Sequence, residues 1–237
     1  MSETKIIAIS CSRSNKKPKS LDKLVSYYKE ANIPYYISFD SKGMFQGYKE
    51  AFERAKLDHN LNNDDIIILC HDDINILMPP EDFKDTLRKY LHKSRMVGFI
   101  GPAGTTALGK DCMWWHPERR AQGFHRGFVF QGDSLESMTP NYFGPYGREV
   151  VVLDGCFLAC TNYALNDVKL DKPDYLLGDW DFYDIHYTYS AYRMGKINYA
   201  APIIIRHESN GEMRQEWHEN NKCFLRKWNQ ELPARCK

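Results

Sequence analysis

His71-Asp72-Asp73 places an imidazole and two carboxylates directly after the apolar run Asp65-Ile66-Ile67-Ile68-Leu69-Cys70. Hard divalent cations such as Mg²⁺ and Mn²⁺ take oxygen ligands and share them with substrate phosphates, so the triplet could form half of a metal site. The same acids could simply begin a solvated turn. Asp179-Trp180-Asp181-Phe182-Tyr183-Asp184 brings three carboxylates into six residues. On a helix Asp181 and Asp184 are i,i+3 neighbours, and either could serve as a general base. The alternative is helix N-terminal charge complementing the macrodipole, which accounts for Asp179 and Asp181. His186, two positions beyond Asp184, points away from it on a helix. His207 lies between an apolar run, 200–205, and Glu208-Ser209-Asn210-Gly211. It could be a structural histidine or a further ligand beside Asp73, because imidazole suits Mn²⁺. Asp154-Gly155 is another strand-end carboxylate, beside a residue that lets a substrate approach closely, or else an ordinary turn. Trp114 and Trp115 offer flat apolar faces to a sugar ring or nucleobase, or to the core.

The elements that must position these residues alternate. Lys5 to Ser10 is a short β-branched apolar run followed by a polar loop with Ser12 and Arg13. Ser20 is a candidate helix N-cap, and Leu21, Leu24, Val25 and Tyr28 recur at helical spacing before strand character returns over 34–39. Met44, Tyr48, Ala51, Phe52 and Ala55 line one face of a helix over about 44–57, and 65–70 is the next strand. A helix opened by Pro79-Pro80-Glu81 leads to a strand around 96–100. Residues 101–147 are rich in Gly, aromatic and polar side chains without periodicity, and read as long loops. Beyond them the sequence predicts a strand over 149–153, a helix over about 180–194, a strand near 203–205, and a last amphipathic helix carrying Met213, Trp217, Phe224 and Trp228 against the core. Such alternation predicts an α/β fold with a mostly parallel central sheet flanked by helices. Ligand sites in such sheets lie at the carboxyl ends of strands.

Composition excludes several classes. The 237 residues carry 32 Lys and Arg against 31 Asp and Glu, with 43% hydrophobic and 14% aromatic residues, so neither disorder nor a polyelectrolyte partner is supported. With a net charge of +1 and basic runs only as local as Lys16-Lys17-Pro18-Lys19, no nucleic-acid partner is expected. No transmembrane segment or signal peptide is recognisable, which makes a cytoplasmic protein the expectation. The seven scattered cysteines form no Cys-x-x-Cys pair and read as reduced structural thiols. Gly98, Gly101 and Gly104 do not make a dinucleotide fingerprint, and neither a phosphate-binding P-loop nor a Gly-x-Ser-x-Gly elbow occurs. No linker or repeat divides the chain, so a single domain over 1–237 is expected.

Taken in order, His71-Asp72-Asp73, Val152-Leu153-Asp154-Gly155-Cys156-Phe157-Leu158-Ala159, Trp180-Asp181-Phe182-Tyr183-Asp184 and His207-Glu208-Ser209-Asn210-Gly211 resemble the GT-A glycosyltransferases. The similarity is to the family-2-like group that includes the StrF-type proteins of streptomycin biosynthesis, and it runs from Lys5 to about Trp228. The resemblance implies a nucleotide-diphospho-sugar transferase fold. Its nucleotide-binding half would be 1–100, its acceptor-binding half 101–210, and a C-terminal amphipathic helix would fill 211–237. It implies a hexosyltransferase-type enzyme using Mn²⁺ or Mg²⁺, a nucleotide-sugar donor, and a glycan, lipid-linked or protein acceptor. Asp73 and His207 would be metal ligands. Ser10, Ser12, Asp40, His71 and Asp72 would face the donor, His71 standing where many relatives have an Asp. Asp154, Gly155, Trp114 and Trp115 would face the acceptor. Asp184, with Asp181 nearby, would be catalytic, and Tyr183 stands where relatives have Glu. Two other readings use the same residues: a nucleotidyl or other phosphate-handling transferase, and a glycan- or nucleotide-binding module without turnover.

Overall fold

The computed structural model describes residues 4–13, 19–209 and 213–236. Strand β1 (Ile6–Cys11) is buried along its whole length and leads through helix α1 (Lys19–Glu30) to β2 (Tyr35–Ser38). Helix α2 (Met44–Asp58) packs on both strands and precedes β3 (Ile66–Cys70) and the short β4 (Ile74–Ile76). Helix α3 (Pro80–Leu91) starts at the predicted proline and is followed by β5 (Val97–Gly101), β6 (Ala103–Thr105) and β7 (Ala107–Leu108). Then come α4 (Pro117–Ala121), β8 (His125–Gln131), β9 (Thr139–Gly144), β10 (Arg148–Val150), β11 (Val152–Leu153) and β12 (Phe157–Thr161). The last elements are α5 (Asn162–Val168), α6 (Tyr183–Arg193), β13 (Ile197–Ala200), β14 (Ile205–His207), α7 (Gln215–Trp228), a 3₁₀ turn (Asn229–Glu231) and β15 (Ala234–Arg235).

Two sheets share the core. The first has the order β10-β13-β5-β12-β3-β1-β2. Five of its strands, β2, β1, β3, β5 and β13, run one way, and β12 and β10 run against them. This is the expected mixed α/β architecture of the nucleotide-diphospho-sugar transferase type. The second sheet, β11-β6-β8-β14-β4 with β9 paired to β8, takes three of its strands, β6, β8 and β9, from the stretch expected to be loops. Its strands are short and carry Gly104 and Gly127, and β9 is largely exposed, so no apolar alternation announces them.

Several local expectations are corrected. The predicted strand 149–153 is two strands in different sheets, β10 pairing with β13 and β11 with β6. Ser20 lies inside α1 rather than before it, and its hydroxyl points to the Asp72 carbonyl at 3.4 Å. The strand near 203–205 is β14, shifted to end at His207. The C-terminal stretch is not one helix: α7 spans Gln215–Trp228, Met213 precedes it, and β15 follows to pair with β7. Trp217 and Phe224 do pack inward as expected, against Phe182 at ring distances of 5.1 and 5.7 Å. All seven cysteines are free, six of them buried. Among the described residues no helix is long and apolar enough to cross a membrane.

Candidate functional site

The β4–β14 ladder assembles the centre of the site. Asp73 immediately precedes β4, His207 closes β14, and the antiparallel register pairs His207 with Ile74, so the two side chains emerge side by side. The backbone is clamped there by Glu208 N–H donating to the Asp73 carbonyl at 3.0 Å. His71 arrives from the end of β3, its backbone N–H donating to the Cys156 carbonyl at 3.0 Å across the β3–β12 pair. His207 Nε2 lies 3.3 Å from Asp73 Oδ1, and His71 Nδ1 lies 3.6 Å from the same oxygen and 3.2 Å from His207 Nε2. One ligand atom from each of the three residues falls within 4.8 Å of the others. Asp73 Oδ1 is buried and no hydrogen-bond donor is aligned on it.

Electrostatics separates these groups. Burial by itself would raise the Asp73 carboxyl, but the imidazole of His207, the charge of His71 and the Ser209 hydroxyl hold it well below the usual carboxylate range. Burial pushes His71 down to about 4, despite the opposing pull of Asp73. Burial would lower His207 too, but Asp73 outweighs it and raises the ring. A neutral imidazole, a carboxylate and a second imidazole form a donor set suited to a divalent transition metal, and a buried oxygen with no aligned donor between them fits such a cation.

A second carboxylate group adjoins the first. Asp184 opens α6 and accepts the backbone N–H groups of Ile185 and Gly155, but burial, reinforced by the charges of Asp154 and Asp181, raises it to about 7. Asp154 also acts on His71 and His207, so it stands between the two groups. The start of α6 is held from three sides. Met44 N–H, at the start of α2, donates to the Asp179 carbonyl at 2.8 Å. Glu216 of α7 accepts Trp180 N–H at 2.6 Å and Asp181 N–H at 3.1 Å. Asn220 accepts Leu177 N–H and Gly178 N–H at 3.0 and 2.9 Å. Phe182 turns the chain into the helix with φ 75°, a left-handed conformation that is costly for a bulky side chain and is stabilised here by its burial against Trp217 and Phe224.

That turn corrects one expectation. Asp181 precedes α6, so it shares no helical face with Asp184, and it pairs instead with Arg214 at 2.8 Å. Ser10 is also displaced from its expected role: it is fully buried within β1 and its hydroxyl donates to the Cys70 carbonyl at 2.7 Å. Trp114 is buried, with ring contacts to Trp115, His125 and Phe143, so its faces are covered by protein. Trp115 is half-buried and packs on Trp217. The room at Gly155 is taken by the chain itself: a Cβ there would lie 2.3 Å from the Tyr183 hydroxyl and 2.7 Å from Asp184 Cβ. Asp154 accepts Cys156 N–H at 3.0 Å. Ser12 is buried and bonds Asp72, whose carboxyl is raised by burial. Asp40 is exposed in the turn after β2, which Ser41 N–H ties to the Ser12 carbonyl at 3.1 Å. Asn210 and Gly211 lie outside the described residues.

Two side chains make contacts that the sequence does not predict. Arg13 lies 4.3 Å over the Trp180 ring, and partial burial, reinforced by the nearby Arg214 guanidinium, lowers its pKa. Tyr183 was visible only as a departure from an expected acid, yet its hydroxyl lies 2.5 Å from His71 Nε2. Neither position carries a local pattern, because each contact joins distant segments.

A mixed α/β fold with these groups gathered at its strand ends defines a nucleotide-diphospho-sugar transferase architecture. The family model described as "Glycosyltransferase like family" matches residues 25–228, and the chain belongs to that family. Among solved structures it is similar to a glycosyltransferase involved in the glycosylation of the major capsid of PBCV-1, at 7% identity and a TM-score of 0.39, covering 90% of this chain and 99% of that one. It is also similar to the inositol-1-phosphate CTP transferase from T. maritima, at 9% identity and a TM-score of 0.37, covering 98% of each chain. No curated protein matches the chain.

Proposed function

We propose that the protein transfers a sugar from a nucleoside-diphosphate donor to an acceptor hydroxyl with inversion at the anomeric carbon, using Mn²⁺ or Mg²⁺. The observation that carries the reading is the buried Asp73 carboxylate flanked by two imidazoles, with one ligand atom from each of the three residues within 4.8 Å of the others. Asp73, His207 and His71 would hold the cation, which moves His71 from the expected donor contacts to the ligand set. When bound, the cation neutralises charge on the departing diphosphate.

The chain's own groups supply the rest. Asp184, partly accessible and with a carboxyl raised to about 7, takes the acceptor proton as the new bond to the anomeric carbon forms and the bond to the diphosphate breaks. A base half-ionised near neutral pH combines availability with proton affinity. Asp154 and Trp115 flank the acceptor side, and Ser12, Asp40 and Asp72, at the ends of β1, β2 and β3, flank the nucleoside. On this reading 1–100 is the donor half and 101–210 the acceptor half, the acceptor being a glycan, a lipid-linked saccharide or a protein, and the chain sits in the StrF-type branch.

Thermal unfolding of wild type and Asp73→Ala with a panel of nucleoside diphosphates, each with and without Mn²⁺ or Mg²⁺, tests the reading. A ligand at a hundredfold excess over Kd stabilises by about 2.7 kcal/mol, so the wild type is expected to show a cation-dependent shift that Asp73→Ala lacks. No shift with any nucleotide would remove sugar transfer in favour of a module without turnover. Release of pyrophosphate rather than nucleoside diphosphate would place the chemistry with nucleotidyl transfer.

A further inference from the structure

His71 can serve the cluster in only one orientation. Its Nδ1 faces His207 Nε2 at 3.2 Å and Asp73 Oδ1 at 3.6 Å, while its Nε2 lies 2.5 Å from the Tyr183 hydroxyl, on a residue 112 positions away. A neutral imidazole has one N–H and one lone pair, and the hydrogen bond made by one nitrogen decides what the other offers. The Tyr183 side chain has little freedom to leave. It is buried, its ring meets Tyr48 edge-on at 5.7 Å and Tyr187 at 6.3 Å, and the close approach of Gly155 leaves no space for a Cβ beside its hydroxyl. The transfer chemistry uses Asp184, the next residue, but assigns nothing to Tyr183.

We propose that Tyr183 is a positioning residue: its hydroxyl oxygen accepts the Nε2–H of His71, fixing the tautomer and ring orientation in which Nδ1 presents its lone pair to a cation shared with Asp73 and His207. This rests on the cation reading of the site and extends it to a partner outside the ligand set. Such outer hydrogen bonds orient a ligating imidazole and raise its basicity, and their loss lowers metal affinity by about 10–100-fold. Because Tyr183 and Asp184 are consecutive at the start of α6, one turn of chain sets both a ligand's orientation and the place of the base. Gly155 is required by the same arrangement, since any side chain there would displace the tyrosine hydroxyl.

The experiment is calorimetric titration of Mn²⁺ into wild type, Tyr183→Phe, His71→Ala and the double variant, with thermal unfolding of each in the absence of metal. Tyr183→Phe keeps the ring and is expected to raise the Kd about tenfold or more. His71→Ala raises it further, and adding Tyr183→Phe to His71→Ala changes it no more, because the tyrosine acts through the histidine. A merely structural tyrosine would lower the unfolding temperature and leave the Kd where it was. An unchanged Kd in Tyr183→Phe, or effects that add in the double variant, overturns the proposal while leaving the cation reading intact. A wild type that takes up no Mn²⁺ overturns both. In the Mg²⁺-loaded wild type, ¹⁵N spectra of the His71 ring provide a measurement independent of any variant. The Nε2–H tautomer supports the proposal, and the Nδ1–H tautomer ends it.

Discussion

Asp73, at the strand end before β4, and Asp184, in the first turn of α6, are the same side chain, and their surroundings drive them in opposite directions. Asp73 lies between two imidazoles and is held well below the usual carboxylate range in spite of burial. Asp184 faces two other carboxylates, Asp154 and Asp181, and burial with their charge raises it to about 7 in spite of two backbone N–H groups. Desolvation is the largest influence on each, so neighbours rather than depth decide the outcome. One group is held anionic, the state the proposed cation ligand would need, and the other exchangeable, the state the proposed proton acceptor would need. The bridge between the two regions is short: Tyr183 touches His71 on one side and precedes Asp184 on the other.

The comparison breaks most decisively at Asp184. Asp184→Asn is expected to lower transfer by about 10²–10⁴-fold while keeping the cation-dependent nucleotide shift, read by turnover and thermal unfolding side by side. Full activity, or a product that retains the donor's anomeric configuration, would remove the base from that position.

A pH series tests the raised Asp184 carboxyl. The folded value of about 7 exceeds the ordinary aspartate value of 3.8, so the folded state binds the proton more tightly, and stability falls as pH rises between those values before levelling off. Asp184→Asn lacks that loss and is expected to be more stable than wild type at pH 8, by a few kcal/mol at ~1.4 kcal/mol per pKa unit, with the gap closing towards pH 4. Parallel stability curves for the two proteins would show that Asp184 is not perturbed. Activity should climb as pH rises through about 7, the opposite trend from stability.

Asp181 sharpens the contrast from the other side. Its carboxyl is engaged by Arg214 and stands outside α6, so Asp181→Asn is expected to cost less than tenfold in turnover, acting through the loop's geometry. A loss matching that of Asp184→Asn would restore it to the proton-transfer machinery. The smallest effect belongs to Ser10→Ala, which removes a buried hydrogen bond to the Cys70 carbonyl. About 1 kcal/mol of stability should be lost, with donor KM unchanged.

Long periodic segments were legible in the sequence. The apolar runs of β1 and β3, the one-sided face of α2 and the proline start of α3 fall where propensity places them, because burial of those segments is decided within each one. The second sheet was not legible. Its strands are two to seven residues long and draw their stability from partners such as β14 and β4, far apart in the chain. For the site, the chemistry of His71, Asp73, Asp154 and His207 could be read from residue type and strand-end position, and that of Asp184 from its place in an acidic cluster on a predicted helix. The sequence predicts a helix running through Phe182, but packing of that side chain against Trp217 and Phe224 overrides the local pattern with a left-handed turn that leaves Asp181 outside α6.

By itself, the sequence determined the alternation of elements and the stock of acids and imidazoles at strand ends, since hydrophobic period and side-chain chemistry are local properties. Only the tertiary structure decided which of those groups meet. His71 and His207, 136 residues apart, come within 3.2 Å through the β4–β14 ladder. Tyr183 reaches His71 because Gly155 leaves space for its hydroxyl. A carboxyl's proton affinity and an imidazole's orientation depend on neighbours a few ångströms away in space, and the folding of distant segments against one another supplies those neighbours.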